Sequence, residues 1–124
     1  MHLLLDTHTV IWLLAWPEKV SPLALAAIED RRNSLWVSMA SVWEAEIKQA
    51  TGKLHLPSDI WDELSMKDIQ FLPIERLHCQ MLAKLPFHHR DPFDRMLVAQ
   101  ALCQSLVLVS ADAALLPYPA PILW

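Results

Sequence analysis

The fold is decided by the stretch LLLDTHTVIWLLA at residues 3–15, where a short apolar run ends at an acid and passes into a helical pattern. Three leucines bounded by a polar residue are typical of a short strand that is buried on both faces. The same order, a short apolar run and then a longer helical pattern, recurs along the chain. We therefore expect an α/β protein with helices on both faces of a mainly parallel sheet.

Five segments are candidates for strands and six for helices. The strand candidates are Leu3–Leu5, Leu35–Val37, Ile69–Leu72, Leu106–Val109 and, as a terminal edge strand, Ile122–Trp124. The helix candidates are Thr9–Ala15, Pro22–Asp30, Ala40–Gln49, Ser58–Lys67, Glu75–Lys84 and Pro92–Gln104. Their alternation predicts a three-layer α/β/α sandwich around a mainly parallel sheet of four to five strands.

Length and composition narrow the class of protein. A chain of 124 residues, 54% hydrophobic and 19% charged, is expected to form one folded domain over residues 1–124. Its single glycine excludes a glycine-rich phosphate loop. The longest apolar run, residues 10–16, is too short to cross a bilayer, and the amino terminus lacks the basic region of a signal peptide. Cys79 and Cys103, which have no nearby cysteine, are interpreted as reduced, buried thiols of a cytoplasmic protein.

Charge and tryptophan content bear on possible partners. The formal net charge of −4 argues against a broad basic surface for nucleic acid, so an RNA substrate would need a local basic patch or bridging metal ions. Six tryptophans and a high apolar content leave two interpretations open, a well-filled core or an apolar surface that a partner covers.

Four acids occupy comparable positions relative to the predicted strands. Asp6 follows the first strand directly, and Asp112 follows the fourth by three residues. Glu44 and Asp94 lie in the first turns of helices. Because the carboxyl ends of parallel strands meet at one edge of a sheet, the four carboxylates could converge there. Such a cluster requires a cation, and its hard oxygen ligands select Mg²⁺ or Mn²⁺, as in metal-assisted phosphodiester hydrolysis.

The first two acids also have purely structural interpretations. Asp6 alone would most simply cap the helix that follows it. Glu44 could close a capping box with Ser41, although Ser38 competes as the cap, or it could pair with Lys48 one turn later.

The other two acids, Asp94 and Asp112, also have purely structural interpretations. Asp91 before Pro92 is typical of a helix cap, and Asp94, three residues after Asp91, would gain from the helix dipole whatever its function. Asp112 could simply close a turn with Ser110. Only the joint pattern of four acids favours a metal site.

The order of four short motifs resembles the PIN-domain family, and within it the VapC-type toxins of type II toxin–antitoxin systems. The motifs are Leu4–His8, Ser41–Glu44 with Ile47 and Lys48, His89–Arg95, and Val109–Asp112, and the most specific part of the resemblance is Asp91–Ala101.

The resemblance implies a Mg²⁺- or Mn²⁺-dependent ribonuclease that a tightly bound antitoxin inhibits. It implies catalytic and metal-binding roles for the four acids, and it places the Ser110 hydroxyl two residues before the last acid, as a candidate for a substrate contact. After Asp112 the chain departs from the usual pattern, since it lacks the polar and aromatic residues that commonly follow. Glu46 is also unusual, but it lies on the far side of the helix from Glu44 and should face away.

Several further residues have two interpretations. Lys48, Arg90 and Arg95 are candidates for phosphate contacts, or else solvated surface charges. His88 and His89 are not expected to bind zinc, because adjacent histidines in a loop point in different directions and no second pair follows.

The apolar content predicts association, with a second copy of the chain and with an antitoxin that lays an amphipathic helix into an apolar groove. Two other functions stay open. One is a non-catalytic interaction module. The other is an aspartate-nucleophile phosphatase, since residues 6–9 faintly resemble the first motif of haloacid-dehalogenase-like enzymes, with His8 in place of the required second acid.

Overall fold

A computed structural model describes all 124 residues and has a five-stranded, fully parallel sheet at its centre. The strands are β1 (His2–Leu5), β2 (Ser34–Ser38), β3 (Ile69–Leu72), β4 (Val107–Val109) and β5 (Ile122–Leu123). They lie in the order β3-β2-β1-β4-β5, which places β1 in the middle. The predicted α/β sandwich is therefore confirmed, and all five strand candidates are strands.

Six helices connect the strands and match the six predicted segments. They are α1 (Thr7–Ala15), α2 (Pro22–Glu29), α3 (Met39–Ala50), α4 (Ile60–Met66), α5 (Arg76–Lys84) and α6 (Pro92–Gln104). Two single-turn 3-10 helices, Pro17–Lys19 and Ala113–Leu115, were not predicted. No helix combines the length and the apolar character needed to cross a lipid bilayer.

The sheet separates two apolar cores, because successive side chains of a strand point to opposite faces. Leu3 and Leu5 of β1 pack with residues of α1, α2 and α4, whereas Leu4 between them packs with α5 and α6. Helix α3 contributes to both cores, through Ala40 on one side and Val42 on the other. It therefore lies where the two helical layers meet.

The strand order creates one topological switch point. From β1 the chain builds outward through β2 and β3, and it later returns to the other side of β1 to form β4 and β5. Crevices beyond the carboxyl ends of two such diverging strands are where open α/β sheets bind ligands. Here that crevice lies beyond Leu5 and Val109, the last residues of β1 and β4, which are followed in sequence by Asp6 and Ser110.

The cysteines differ from the expectation in one respect. Both are free thiols, as predicted, but Cys79 is exposed and Cys103 is half-buried. The prediction that they are buried is wrong, because both face outward on α5 and α6 and take no part in either core.

Candidate metal site

Asp6 is fixed at the sheet edge by its backbone and its side chain. Its backbone N–H donates to the Val109 carbonyl of β4 (3.1 Å), and its Oδ1 accepts the Thr9 N–H (2.7 Å) at the start of α1. The Thr9 hydroxyl also donates to Val109 O. The side chain therefore does cap α1, but this uses only one of its two oxygens, and the residue is buried in the switch-point crevice.

Glu44 projects from the second turn of α3, and its side chain is only 7% exposed. Its Oε2 lies 3.1 Å from Lys48 Nζ, whereas its Oε1 is buried without a hydrogen-bond partner. Ser38 caps α3 by accepting the Ala40 N–H. Ser41 instead accepts a hydrogen bond from the Thr7 hydroxyl (2.9 Å), which ties the start of α3 to the start of α1.

Asp94 has the most perturbed carboxyl group of the site. Burial raises its pKa to about 7, and the negative charges of Asp91, Asp6 and Glu44 act in the same direction, while His89 opposes them. The side chain is 13% exposed. Asp91 precedes Asp94 at the start of the same helix, whereas Asp6 and Glu44 come from two other segments, and the negative charges of all three disfavour ionisation of Asp94.

His89 joins the last two acids. Its Nδ1 accepts the Asp91 N–H (3.0 Å), so in the neutral ring the proton is on Nε2. Nε2 donates to Asp112 Oδ2 (2.6 Å) and lies 3.4 Å from Asp94 Oδ2. Although partial burial acts to raise it, the pKa of Asp112 is lowered by this hydrogen bond and by the Ala114 N–H.

No sequence pattern predicts the contact between His89 and Asp112, because the two residues lie 23 positions apart and His89 belongs to an irregular loop. Ligand atoms of His89, Asp94 and Asp112 lie within 4.8 Å of one another, close enough for one ion to contact all three. Asp112 also caps the 3-10 helix and shares a depression of about 250 Å³ with Asp6, His8 and Trp12. The four predicted acids thus surround one region of the sheet edge.

The residues predicted to contact a substrate are placed differently from one another. Lys48 and Arg90 line a cleft beside Glu44. Arg95 is only 7% exposed, and its guanidinium donates to the Leu82 and Leu85 carbonyls. The prediction that Arg95 contacts phosphate is wrong, because its hydrogen-bond donors face the protein interior.

Two further side chains near the site, those of Ser110 and Glu46, form hydrogen bonds with other groups of the protein. Ser110 is buried, and its hydroxyl accepts the Asp112 N–H (3.1 Å), so it holds the turn that carries Asp112. Glu46 faces away from Glu44, as expected, and accepts the Trp61 indole N–H (2.8 Å).

The donor set fits a hard divalent cation. An unpartnered, buried carboxylate oxygen on Glu44 is costly unless a cation or a donor satisfies it. The pKa of Asp94 is raised by burial first and then by the negative charges of Asp91, Asp6 and Glu44, all of which a bound cation would offset. Carboxylate oxygens are the ligands that Mg²⁺ and Mn²⁺ prefer in proteins, and His89 would have to give up the hydrogen bond from its Nε2 to Asp112 before it could add a nitrogen ligand.

Comparison with known proteins identifies the family. The family model for the PIN domain matches residues 3–118, which is nearly the whole chain, and the chain therefore belongs to the PIN-domain family. No curated protein matches the chain in sequence.

Solved structures with the same fold come from toxin–antitoxin complexes. VapBC2 from Rickettsia felis, bound to a DNA fragment from its promoter, has a TM-score of 0.75 at 13% identity and covers 100% of this chain and 98% of that one. VapBC-1 from nontypeable Haemophilus influenzae has a TM-score of 0.71 at 20% identity, with 99% and 97% covered. A toxin–antitoxin complex from Klebsiella pneumoniae has a TM-score of 0.64 at 15% identity, with 98% and 95% covered. At these identities the likeness supports the α/β fold.

Proposed function

We propose that this chain is a metal-dependent ribonuclease and the toxin of a type II toxin–antitoxin pair, with residues 1–124 forming a single nuclease domain. The observation that carries the proposal is the buried, unpartnered Oε1 of Glu44, a carboxylate whose charge, with those of Asp91 and Asp6, adds to the rise that burial causes in the pKa of Asp94. Mutual repulsion makes such a carboxylate cluster destabilising unless a cation offsets it. It has the chemistry of a cation site at the ligand-binding edge of the sheet.

Asp6, Glu44, Asp94 and Asp112 are proposed to hold Mg²⁺ or Mn²⁺ and to form the catalytic site. When bound, the ion supplies charge stabilisation for phosphate oxygens and lowers the pKa of a water molecule. Asp6 keeps its carboxylate in place through the Thr9 N–H. His89 orients Asp112 by donating from Nε2, and Ser110 holds the turn beneath it.

A protein inhibitor is the first proposed partner. The depression that contains Asp6 and Asp112 is also lined by Trp12, and Trp16, directly after the end of the same helix, is exposed. An inhibitor could therefore lay an amphipathic helix along α1 and place an Arg or Lys among the carboxylates. The structurally similar VapBC2 and VapBC-1 and the Klebsiella pneumoniae toxin–antitoxin complex support an antitoxin as partner.

A second copy of the chain is the second proposed partner. An apolar groove between α3 and α6 is lined by Ala40, Trp43, Leu82 and Phe93, and Trp43 is 59% exposed beside it. Across a two-fold axis this surface could cover itself. We further propose that the protein acts in the cytoplasm, where RNA substrates are available.

The decisive experiment is RNA cleavage by the purified, antitoxin-free chain. A labelled single-stranded RNA is incubated with Mg²⁺, with Mn²⁺ or with EDTA, alongside the Asp94→Asn variant. Asp62→Asn, which changes an exposed acid on α4, is the matched control. Cleavage that needs the metal and is lost only in Asp94→Asn supports the proposal. Equal cleavage by both variants, or none by the wild type, contradicts it.

Two alternatives can be tested in the same preparation. A non-catalytic module would bind its partner protein without cleaving RNA under any metal condition. An aspartate-nucleophile phosphatase would trap a covalent phosphate mimic on Asp6. His8 stands where that motif requires a second acid, which disfavours the role.

A further inference from the structure

A cleft of about 420 Å³ lies beside the acid site, between the end of α3 and the loop that precedes α6. Three cations line it, Lys48 and Lys53 from one side and Arg90 from the other. Glu44 belongs both to this cleft and to the carboxylate cluster, so the two regions are continuous. In a chain with a net charge of −4, three cations in one cleft stand out.

The fold places Lys53 next to Lys48 through the end of α3. The Lys53 N–H donates to the Lys48 carbonyl (2.9 Å), and the Gly52 N–H donates to Gln49 O (3.1 Å). This pair of hydrogen bonds is the Schellman motif, which needs a left-handed residue, and Gly52 has φ = +76°. The only glycine of the chain therefore turns the backbone so that Lys53 lies against the last turn of the helix.

Two of the three cations of the cleft make no internal ion pair. Neither Lys53 nor Arg90 has a carboxylate within the 4.0 Å of a salt bridge, whereas the carboxylates in the cleft are already engaged. Glu44 pairs with Lys48, and Asp91 accepts the N–H groups that begin α6. Two exposed cations therefore face the cleft with no internal counter-charge.

We propose that this cleft binds phosphate groups of a single-stranded RNA whose chain continues from the acid site, an inference that rests on the proposed function. A polyanion approaching a carboxylate cluster is repelled, and adjacent cations would offset that repulsion. Lys48 stands at the junction, and once Glu44 engages a metal ion its ammonium becomes available to a phosphate. Ile47 and Phe93 on the cleft wall offer the apolar surface on which unpaired bases pack.

The test measures binding, not cleavage. Fluorescence anisotropy of two unrelated labelled 12-nucleotide RNAs is followed in EDTA, where metal-dependent hydrolysis cannot proceed, over a range of NaCl concentrations. The slope of log affinity against log salt is negative, and in the double variant Lys53→Gln/Arg90→Gln it should become shallower by about 1.4. Each phosphate contact on a single strand contributes about 0.7 to its magnitude. Both RNAs should lose affinity equally, because phosphate contacts carry no sequence information.

The matched control is Arg31→Gln/Lys67→Gln, which removes the same charge at the opposite, amino-terminal edge of the sheet. An equal loss of slope in both double variants would overturn the inference, because a general charge effect would then explain it. An unchanged slope in the cleft variant would also overturn the inference. This holds even if that variant loses binding to a protein inhibitor, because the cleft would then bind protein and not RNA. Wild-type cleavage with an unaffected slope rejects the cleft and keeps the nuclease. A specific loss of slope without any cleavage supports the cleft and rejects the nuclease.

Discussion

Lys48 Nζ lies 3.1 Å from Glu44 Oε2, while the other oxygen of the same carboxylate is buried with no partner. One face of the carboxylate is thus neutralised by a side chain of its own helix, and the other is directed at no donor. Lys48 and a metal ion therefore compete for the charge of Glu44. This competition has consequences for stability and for metal affinity that can be measured separately.

Replacing Lys48 by methionine should lower the melting temperature of the metal-free protein and tighten metal binding. The variant leaves a buried carboxylate without its cation, and such a loss is strongly destabilising in a buried pair. Added Mg²⁺ would then gain the interaction that Lys48 gave up. Isothermal titration with Mg²⁺, with thermal melts in EDTA, checks both effects. Lys67→Met, which breaks an exposed pair with Glu63, is the control, and equal Mg²⁺ affinity in all three proteins would contradict the prediction.

Asp94→Asn should stabilise the metal-free protein above neutral pH and change little in mild acid. The pKa of Asp94 is about 7 in the folded chain, against about 4 in an unfolded one. Because the folded state binds the proton more tightly, this group stabilises folding fully below pH ~4, and the contribution is lost as the pH rises through ~7. The gain in melting temperature of the variant over the wild type should therefore grow between pH 5 and pH 8.

Millimolar Mg²⁺ provides the internal control for this pH effect. At pH 8 it should raise the melting temperature of the wild type and have a smaller effect on Asp94→Asn, since the ion binds folded carboxylates. If the melting temperature of the wild type changed neither with pH nor with Mg²⁺, Asp94 would not be part of a preformed cation site.

Two substitutions at Asp6 separate its structural role from its proposed catalytic one. Asp6→Asn keeps an oxygen that can accept the Thr9 N–H, so α1 stays capped and stability should hold, yet RNA cleavage should be lost. Asp6→Ala loses the cap as well, and its free energy of unfolding should fall by about 1 kcal/mol. Denaturation and cleavage assays on both variants decide the matter. Full activity in Asp6→Asn would assign this residue to capping alone.

The fold was predictable because its signals are local. The apolar run of β1, the alternation of strand and helix, and the caps at Asp6 and Asp91 are properties of a few neighbouring residues. Helix ends differ from the prediction by up to two residues, as at α1, which begins at Thr7, and at α4, which begins at Ile60. Ser38 caps α3 in preference to Ser41, which sets Glu44 deeper in the helix.

The contacts within the site were less predictable, because they join residues that are far apart in sequence. The hydrogen bond from His89 to Asp112 depends on how a loop packs against the end of β4, which no periodicity records. The burial of Arg95 did leave a signal. Arg95 shares a helix face with Val98, Ala99 and Leu102, and a charge on an apolar face indicates an internal role.

His89→Gln should reduce RNA cleavage by about 10- to 100-fold, the usual effect of removing a group that orients a metal ligand. His89 ties Asp112 to the loop before α6, and glutamine cannot reproduce both the acceptor at Nδ1 and the donor at Nε2. Initial rates at saturating Mg²⁺ measure the effect. His88→Gln changes the neighbouring exposed ring, which packs against Tyr118, and should cleave RNA at nearly the wild-type rate. Equal rates in both variants would exclude an orienting role for His89.

Arg95→Gln should destabilise the protein, in contrast to Arg90→Gln five residues earlier. The Arg95 guanidinium donates to the Leu82 and Leu85 carbonyls and stacks on Phe87, with Cζ 4.1 Å from the ring centroid. The Leu82 carbonyl still accepts the Leu85 N–H, but without the guanidinium the Leu85 carbonyl loses its donor, which costs about 2 kcal/mol. Arg90 is exposed and makes no ion pair, so its replacement should change the free energy of unfolding by less than about 0.5 kcal/mol. Urea denaturation of the two variants gives both values. If Arg95→Gln were as stable as the wild type but had lost RNA binding, Arg95 would contact the substrate after all.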